Sequence, residues 1–363
     1  MLKYMSNKKL LLLPTTEHAF KSFELIYHAP KHQHLVANVS KNSLHIPCDF
    51  KEQTKFWRVY YTKFRIIRLL AYFFLGRLFL KKIQKFLISN NINGLVVSND
   101  CGFPQVYFIT AAKRLGLKTV CHQVASGSIG GIRTHKSLKN MVARHLKEFI
   151  HANINGLPLY KRFGDVCDVL VLLGDGWARD LKITRKYLIF ENPKYFHGLQ
   201  INHDNNRKKI IIFGVPLKEV PLVSSDVARR CYKKINLVAQ ALEEKGIEIF
   251  YKPHPQELFY KELIDIPLFE GDIKSAFESF SICMSVSSTV CLEFRLSGRI
   301  SVALNFDFLP ATLVNQTKGL FSFNYKDLLD MENMNQLDFS NTSIDLDYYG
   351  RSECTYEDII SAI

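Results

Sequence analysis

Ile249-Phe250-Tyr251-Lys252-Pro253-His254-Pro255-Gln256-Glu257 decides how this chain of 363 residues is read. Ile247, Ile249 and Tyr251 alternate with more polar neighbours, the period of a β-strand. Two prolines then bracket one histidine, and a proline has no N–H with which to continue a ladder. The strand therefore stops, and His254 is predicted just past its carboxyl end with little backbone freedom. Further on, Ser285-Val286-Ser287-Ser288-Thr289-Val290-Cys291-Leu292-Glu293 follows the apolar residues 282–284 and runs into a helix carrying Glu293 and Arg295. Hydroxyls and backbone N–H groups at a helix start make an anion site. Open α/β sheets bind ligands at the carboxyl ends of their strands. One imidazole and one hydroxyl-rich helix start, on neighbouring strand ends, thus predict a phosphate cradle. Taken singly, Pro-His-Pro also suits a rigid turn and Ser-Ser-Thr an ordinary N-cap; their order and spacing favour the cradle.

Working outward, strands and helices alternate in two blocks. Strands are predicted at 9–13, 34–39, 94–98, 117–124 and 168–173. Helices are predicted from the Thr15-Thr16-Glu17-His18 cap to 27, within 55–85, over 104–115 and over 136–152. Residues 125–131 (Ala-Ser-Gly-Ser-Ile-Gly-Gly) read as a flexible loop, and the polar, turn-rich 192–207 as a boundary. The second block opens with a strand at 209–213, ending in Gly214-Val215-Pro216-Leu217. A helix over 225–245, the His254 strand, a short helix at 276–280, the serine-rich strand end and a last strand at 299–304 follow. The fold class is α/β: two Rossmann-like, doubly wound domains facing across a cleft. They are assigned to 1–200 and 208–330, with an acidic, Asn/Ser-rich tail at 331–363 expected to pack loosely.

Charge separates the halves. Residues 1–200 carry 31 Lys and Arg against 11 Asp and Glu, and the remainder 17 against 23, within a net charge of +14. Such asymmetry points to an anionic partner of the first half. The excess concentrates in 55–85, which holds nine basic residues and no acid among many aromatic and aliphatic ones. Its longest uncharged run, 69–76, is far shorter than the roughly 20 residues a membrane span requires. A basic, aromatic helix is the signature of a segment lying on anionic lipid. A surface helix covering the sheet, with its bases snorkelling outward, is the plainer alternative. The run Leu10–Leu13 is too short for a signal sequence and reads as a strand. The eight cysteines form no Cys-x-x-Cys pair, several lie in apolar strands, and a reducing cytosol is expected.

The motifs Gly214-Val215-Pro216-Leu217, Lys252-Pro253-His254-Pro255, Pro267-Leu268-Phe269-Glu270 and Ser287-Ser288-Thr289 occur in a suggestive order. The set resembles the His-Pro and Ser-Ser/Thr motifs of bacterial GT-B glycosyltransferases that use CMP-activated sugars, among them sialyltransferases, polysialyltransferases and capsular Kdo transferases. The resemblance covers most of the second half and, more faintly, the first. It implies a CMP-sugar donor held by Gly214, Lys252, His254, Pro255, Ser287, Ser288 and Thr289, with the phosphate on His254 and the hydroxyls. Glu270 would hold the cytidine ribose, and Glu293 competes for that role. The acceptor implied is an oligosaccharide or lipid-linked surface glycan of the capsule or lipopolysaccharide kind. The place implied is the cytoplasm, peripherally on the inner face of a bacterial membrane. The acidic, glycine-ended motif of polysialyltransferases has no clear copy here. The motifs do not separate sialic, pseudaminic, legionaminic and Kdo donors, and CDP-glycerol transferases share a similar His-Pro.

A CMP-sugar loses its phosphate from the anomeric carbon, so negative charge grows on that phosphate. His254, Lys252, Ser287 and Ser288 can stabilise it without a metal. The only Asp-x-Asp spacing, Asp345-Leu346-Asp347, lies in the acidic tail, so neither metal nor other cofactor is expected. Inversion needs a general base for the acceptor hydroxyl. Asp100 is the first candidate, since it ends an apolar strand and is the only acid between Glu52 and Glu148. Asp175 and Glu17 are rivals, and His122-Gln123 is a candidate acceptor or donor-sugar contact. Three alternatives stay open: a CDP-glycerol-type glycerophosphotransferase, a UDP-sugar epimerase, and a nucleic-acid-binding protein. The last lacks any readable nucleic-acid module, so no nucleic-acid partner is expected.

Overall fold

The computed structural model describes residues 8–15, 17–28, 34–37, 47–50, 65–100, 105–124, 149, 163–190, 209–217, 223–255, 257, 260–288, 290–296, 299–309, 321–324 and 356–363. The loop expected at 125–131, the 192–207 boundary, Thr289, Asp345-Leu346-Asp347 and nearly all of the helix expected at 136–152 lie outside them. The chain divides into two compact units, 1–190 with 350–363, and 191–349. Both are parallel-sheet α/β domains, as the alternation of elements predicts.

The N-terminal unit holds β1 (Leu10–Leu13), α1 (Glu17–Tyr27), β2 (Leu35–Val36), α2 (Arg65–Ser89), β3 (Gly94–Val97) and α3 (Gln105–Arg114). β4 (Lys118–His122), β5 (Val169–Leu172), α4 (Asp175–Leu181) and β6 (Tyr187–Ile189) complete its first pass. The sheet order is β2-β1-β3-β4-β5-β6, all pairs parallel. Burial on both faces explains why β1 and β3 are continuous apolar runs rather than alternating ones. α2 lies against α3, with the Phe79 ring 5.6 Å from Tyr107 and 6.0 Å from Phe108. Asp175 opens α4, directly after β5.

Within the stretch expected to pack loosely, residues 356–363 pack against the N-terminal unit. Helix α9 (Tyr356–Ser361) belongs to the N-terminal unit, where Ile359 and Ile360 are buried with Leu10, Val36 and Val96. A Cβ on Gly94 would overlap the Ile363 side chain, so glycine at the start of β3 makes room for the chain's last residue.

The C-terminal unit holds β7 (Lys209–Phe213), α5 (Ser225–Glu243), β8 (Glu248–Lys252), α6 (Tyr260–Leu263) and α7 (Ile273–Ser279). β9 (Ile282–Ser285), α8 (Val290–Leu296), β10 (Ile300–Asn305) and β11 (Phe321–Asn324) follow. The order β11-β10-β9-β7-β8 is again parallel throughout. Alternate residues of β7 serve two cores. Ile210 and Ile212 pack with Cys231, Ile235, Val238 and Leu242 of α5, while Ile211 and Phe213 pack with Phe277 and Phe294 of α7 and α8. α5 is amphipathic at helical spacing and starts where the Ser224 hydroxyl accepts the Val227 N–H at 3.3 Å. The edge strands β6 and β11 were not predicted; short strands take their conformation from the neighbour they pair with and carry little pattern of their own.

Candidate functional site

The site residues of the C-terminal unit converge because its strands are parallel, so every strand's carboxyl end reaches one edge. From β7, which lies between β8 and β9, the chain passes to β8 on one side, then crosses to β9 on the other. The order therefore reverses between β7 and β9, the place where such sheets bind ligands. Two hydrogen bonds tie this edge together. The Ser285 hydroxyl donates to the Phe213 carbonyl at 2.7 Å, joining β9 to β7. The Gly214 N–H donates to the Lys252 carbonyl at 2.9 Å, joining β7 to β8.

His254 follows β8, as predicted, and is half-buried. Its backbone is held by a residue the sequence reading did not single out. The Glu257 N–H donates to the His254 carbonyl at 2.8 Å, and one Glu257 carboxylate oxygen accepts the His254 N–H at 3.0 Å. The other oxygen accepts the Tyr232 hydroxyl at 2.5 Å and the Tyr251 hydroxyl at 2.7 Å. Glu257 is buried, so these donors replace the water that a carboxylate would otherwise require. Burial, and then the neighbouring carboxylate, push the Tyr251 phenol well above its usual range, so it stays protonated and donates. Gly214 lies directly against this group: a Cβ there would overlap both the Glu257 carboxylate and the Tyr251 hydroxyl. The only sequence signal for Glu257 was an acid three residues past the histidine.

The serine-rich loop is organised by its first hydroxyl. Ser285 Oγ, while donating to Phe213, accepts the N–H groups of Ser287 and Ser288 at 3.3 and 3.2 Å. Ser288 Oγ accepts the Val290 N–H at 3.3 Å, which makes it the cap of α8. Ser287 and Ser288 are buried, and Glu293 lies partly exposed in the first turn of α8. Lys252 turns the other way. Its ammonium donates to the Gly271 carbonyl and lies 5.7 Å from the centre of the Phe269 ring. Residues 267–269 run along β8, where Tyr251 N–H donates to Pro267 O at 2.8 Å and Phe269 N–H to Tyr251 O at 2.9 Å. Glu270, exposed, is thereby placed at the same carboxyl edge as Lys252 and the half-buried, partly exposed Pro253–His254 turn.

In the N-terminal unit Asp100, the first candidate base, is engaged by the backbone. Asp100 is fully buried, and its two oxygens accept the N–H groups of Gly164 and Val166 at 2.8 and 3.0 Å. Arg185 donates to the carbonyls of Gly164 and Cys167 in the same loop. This is a carboxylate that holds a loop, and its geometry argues against a base that must reach an acceptor hydroxyl. Asp175 is exposed at the carboxyl end of β5, where it accepts the Tyr187 hydroxyl at 2.6 Å. The side chain of Glu17 lies outside the described residues. His122 is fully buried at the end of β4, with its ring edge-on to Phe23 and Phe190 at 5.7 and 5.4 Å. Among the described residues neither ring nitrogen has a hydrogen-bond partner, and burial lowers its pKa to about 4. Gln123 beside it accepts the Leu173 N–H at 3.1 Å. Both side chains are buried within the N-terminal unit.

Comparison with known proteins places the fold. The chain is similar to UDP-GlcNAc 2-epimerase from Methanocaldococcus jannaschii, solved in complex with UDP-GlcNAc and UDP, at 12% identity and a TM-score of 0.52, over 98% of each chain. MurG from Acinetobacter baumannii is similar at 10% identity and a TM-score of 0.48, over 89% of each chain. The glycosyltransferase SnogD from Streptomyces nogalater is similar at 10% identity and a TM-score of 0.47, over 90% of this chain and 91% of that one. The two parallel-sheet α/β domains, together with the likeness to the epimerase, give the fold class as GT-B. No protein-family model matches the sequence, and no curated protein matches it.

Proposed function

We propose that the protein is an inverting, metal-independent glycosyltransferase. It moves a nonulosonic, sialic-type or Kdo sugar from a CMP-activated donor to a surface-glycan acceptor, on the inner face of a bacterial membrane. The observation that supports this reading is the convergence of Gly214, His254 and the Ser285–Ser288 loop on the carboxyl edge of one parallel sheet, at its reversal of strand order. These are the residues on which the resemblance to CMP-sugar transferases rests. As the bond from the anomeric carbon to the donor phosphate breaks, the electron pair stays with the phosphate. His254 and the hydroxyls of Ser287, Ser288 and Thr289 would stabilise that charge, and Lys252 would join them by leaving the Gly271 carbonyl. Glu270 is exposed and suited to accept hydrogen bonds from a ribose diol. The base role passes from Asp100 to Asp175, an exposed strand-end carboxylate that can take the acceptor proton.

The test is a thermal-shift screen of CMP, CDP, UDP and GDP, since a nucleotide that binds only the native state raises its midpoint. CMP is expected to stabilise the protein and UDP and GDP to leave it unchanged; an equal shift with UDP removes the CMP-sugar reading. Epimerases share this fold, so turnover of a UDP-sugar without any acceptor would replace the transferase with an epimerase. Stabilisation by CDP-glycerol, with transfer of its phosphoglycerol, would replace it with a glycerophosphotransferase.

A further inference from the structure

Helix α2 presents two faces of different chemistry. Phe79, Leu80, Ile83 and Leu87 are buried, at no more than 1% exposure, and Phe79 meets the rings of Phe50, Tyr107 and Phe108. At about 100° per residue these four share one side of the helix. The opposite side carries Phe74, Leu78 and Ile88, which are 64%, 55% and 61% exposed. Interleaved with them on that side are Arg77, Lys81, Lys82 and Lys85, all exposed. No acid occurs in the sequence between Glu52 and Asp100. The core requires only the first face. Three large apolar side chains, each more than half exposed, are thus set among four exposed bases.

We propose that this outer face of α2 docks the protein on an anionic phospholipid surface, with the helix lying in the headgroup layer. From Phe74 to Ile88 the face runs about 21 Å, at roughly 1.5 Å per residue. Phe74, Leu78 and Ile88 enter the boundary of the acyl chains, while the lysines lay their stems along it and hold their ammonium groups at the phosphates. The helix lies along the membrane and does not cross it, for among the described residues no helix is long and apolar enough to do so. Charge selects this occupant. A second copy of the same face would set like charges against each other. A nucleic acid would use the bases and leave the three apolar side chains in water. An anionic bilayer satisfies both sets at once. The proposal names the surface through which the protein would reach the membrane placement given above, yet it stands on α2 alone, so its failure leaves the nucleotide screen untouched.

The experiment is flotation of the full chain with vesicles of phosphatidylcholine, alone or mixed with phosphatidylglycerol. Binding is expected to the mixed vesicles and not to phosphatidylcholine alone. It should fade as salt shortens the screening length from about 10 Å at 0.1 M to about 3 Å at 1 M. Lys81→Glu/Lys85→Glu should weaken binding at least about tenfold, since each base near such a surface contributes appreciably. Leu78→Ser/Ile88→Ser should weaken it by about tenfold as well. Because all four side chains are exposed, both variants should keep the wild-type thermal midpoint. Equal binding of the wild-type chain to both vesicle types would overturn the proposal without recourse to any variant. So would charge-reversed protein that binds as tightly as wild type. Oligonucleotide binding that exceeds vesicle binding and ignores Leu78→Ser/Ile88→Ser would make this a nucleic-acid surface. A dimer that Leu78→Ser/Ile88→Ser dissolves, with no vesicle binding, would make it a self-association face.

Discussion

The Glu257 carboxylate accepts the backbone N–H of His254 at 3.0 Å, so the candidate phosphate-binding histidine is oriented by a buried acid three residues after it. The two prolines limit the turn, but they do not choose its direction. The carboxylate does, because it is itself anchored by the hydroxyls of Tyr232 and Tyr251 on the other side. The turn that carries the proposed donor contact is thus braced by a strand end, a helix and a buried carboxylate.

Glu257→Ala should destabilise the protein by on the order of 3 kcal/mol, because two buried tyrosine hydroxyls and the His254 N–H lose their acceptor together. Chemical denaturation measures this. A cost within a few tenths of a kcal/mol would mean that water reaches the network and that the orienting role is wrong.

Gly214→Ala tests the same contact from the other side. Its methyl group would overlap the Glu257 carboxylate and the Tyr251 hydroxyl, and overpacking of this kind costs about 1–3 kcal/mol. The CMP-induced thermal shift should shrink in parallel. A variant of wild-type stability would show that the turn can move aside.

His254→Ala should leave stability nearly unchanged and lower transfer turnover by about a hundredfold or more, as expected for a charge-stabilising donor at a departing phosphate. Transfer from a CMP-sugar, measured beside the denaturation midpoint, separates the two effects. Full activity would end the donor-site assignment.

Asp100→Asn should act on stability rather than on chemistry. The amide would aim a donor at a backbone N–H that now meets an acceptor, at a cost of about 1–3 kcal/mol. Asp175→Asn should do the reverse, sparing stability and CMP binding while abolishing transfer. Loss of transfer in a stable Asp100→Asn protein would restore Asp100 as the base.

His122 predicts an acid-sensitive fold. The buried imidazole titrates near 4, against an ordinary value of 6.5, so between those values the unfolded chain binds a proton that the folded chain refuses. Stability is therefore intact above about pH 6.5 and falls as pH drops toward 4, by up to roughly 3 kcal/mol. His122→Phe removes the titrating group. Denaturation at pH 7 and at pH 4.5 should show wild type losing more than the variant; equal losses would mean that His122 charges without penalty.

Local chemistry made much of this fold legible. Residues 209–213 and 249–252 read as strands because unbroken or alternating apolar residues can be buried in few other ways. The turn at Pro253-His254-Pro255 read as a stop because proline lacks the N–H a ladder requires. Ser287 and Ser288 read as a helix start because short hydroxyl side chains cap helices. Each of these inferences needs only neighbours along the chain, and each locates a candidate site residue at a strand end.

The roles that changed are those set by partners far apart in sequence. Asp100 looked like a base because it ends an apolar strand; only the tertiary structure brings Gly164 and Val166 onto its oxygens. Backbone N–H groups are the same at every non-proline residue, so nothing in their sequence marks them as the partners of a carboxylate. Ile359 and Ile360 sit in an acidic stretch with no strong period, yet they are core residues because α9 returns to the sheet of the N-terminal unit. The strand order, too, is decided by which edges meet. The sequence by itself determined the two α/β blocks and the residues at their strand ends, through local periodicity and proline chemistry. Which of those residues hold the fold and which stay exposed was decided only by long-range packing.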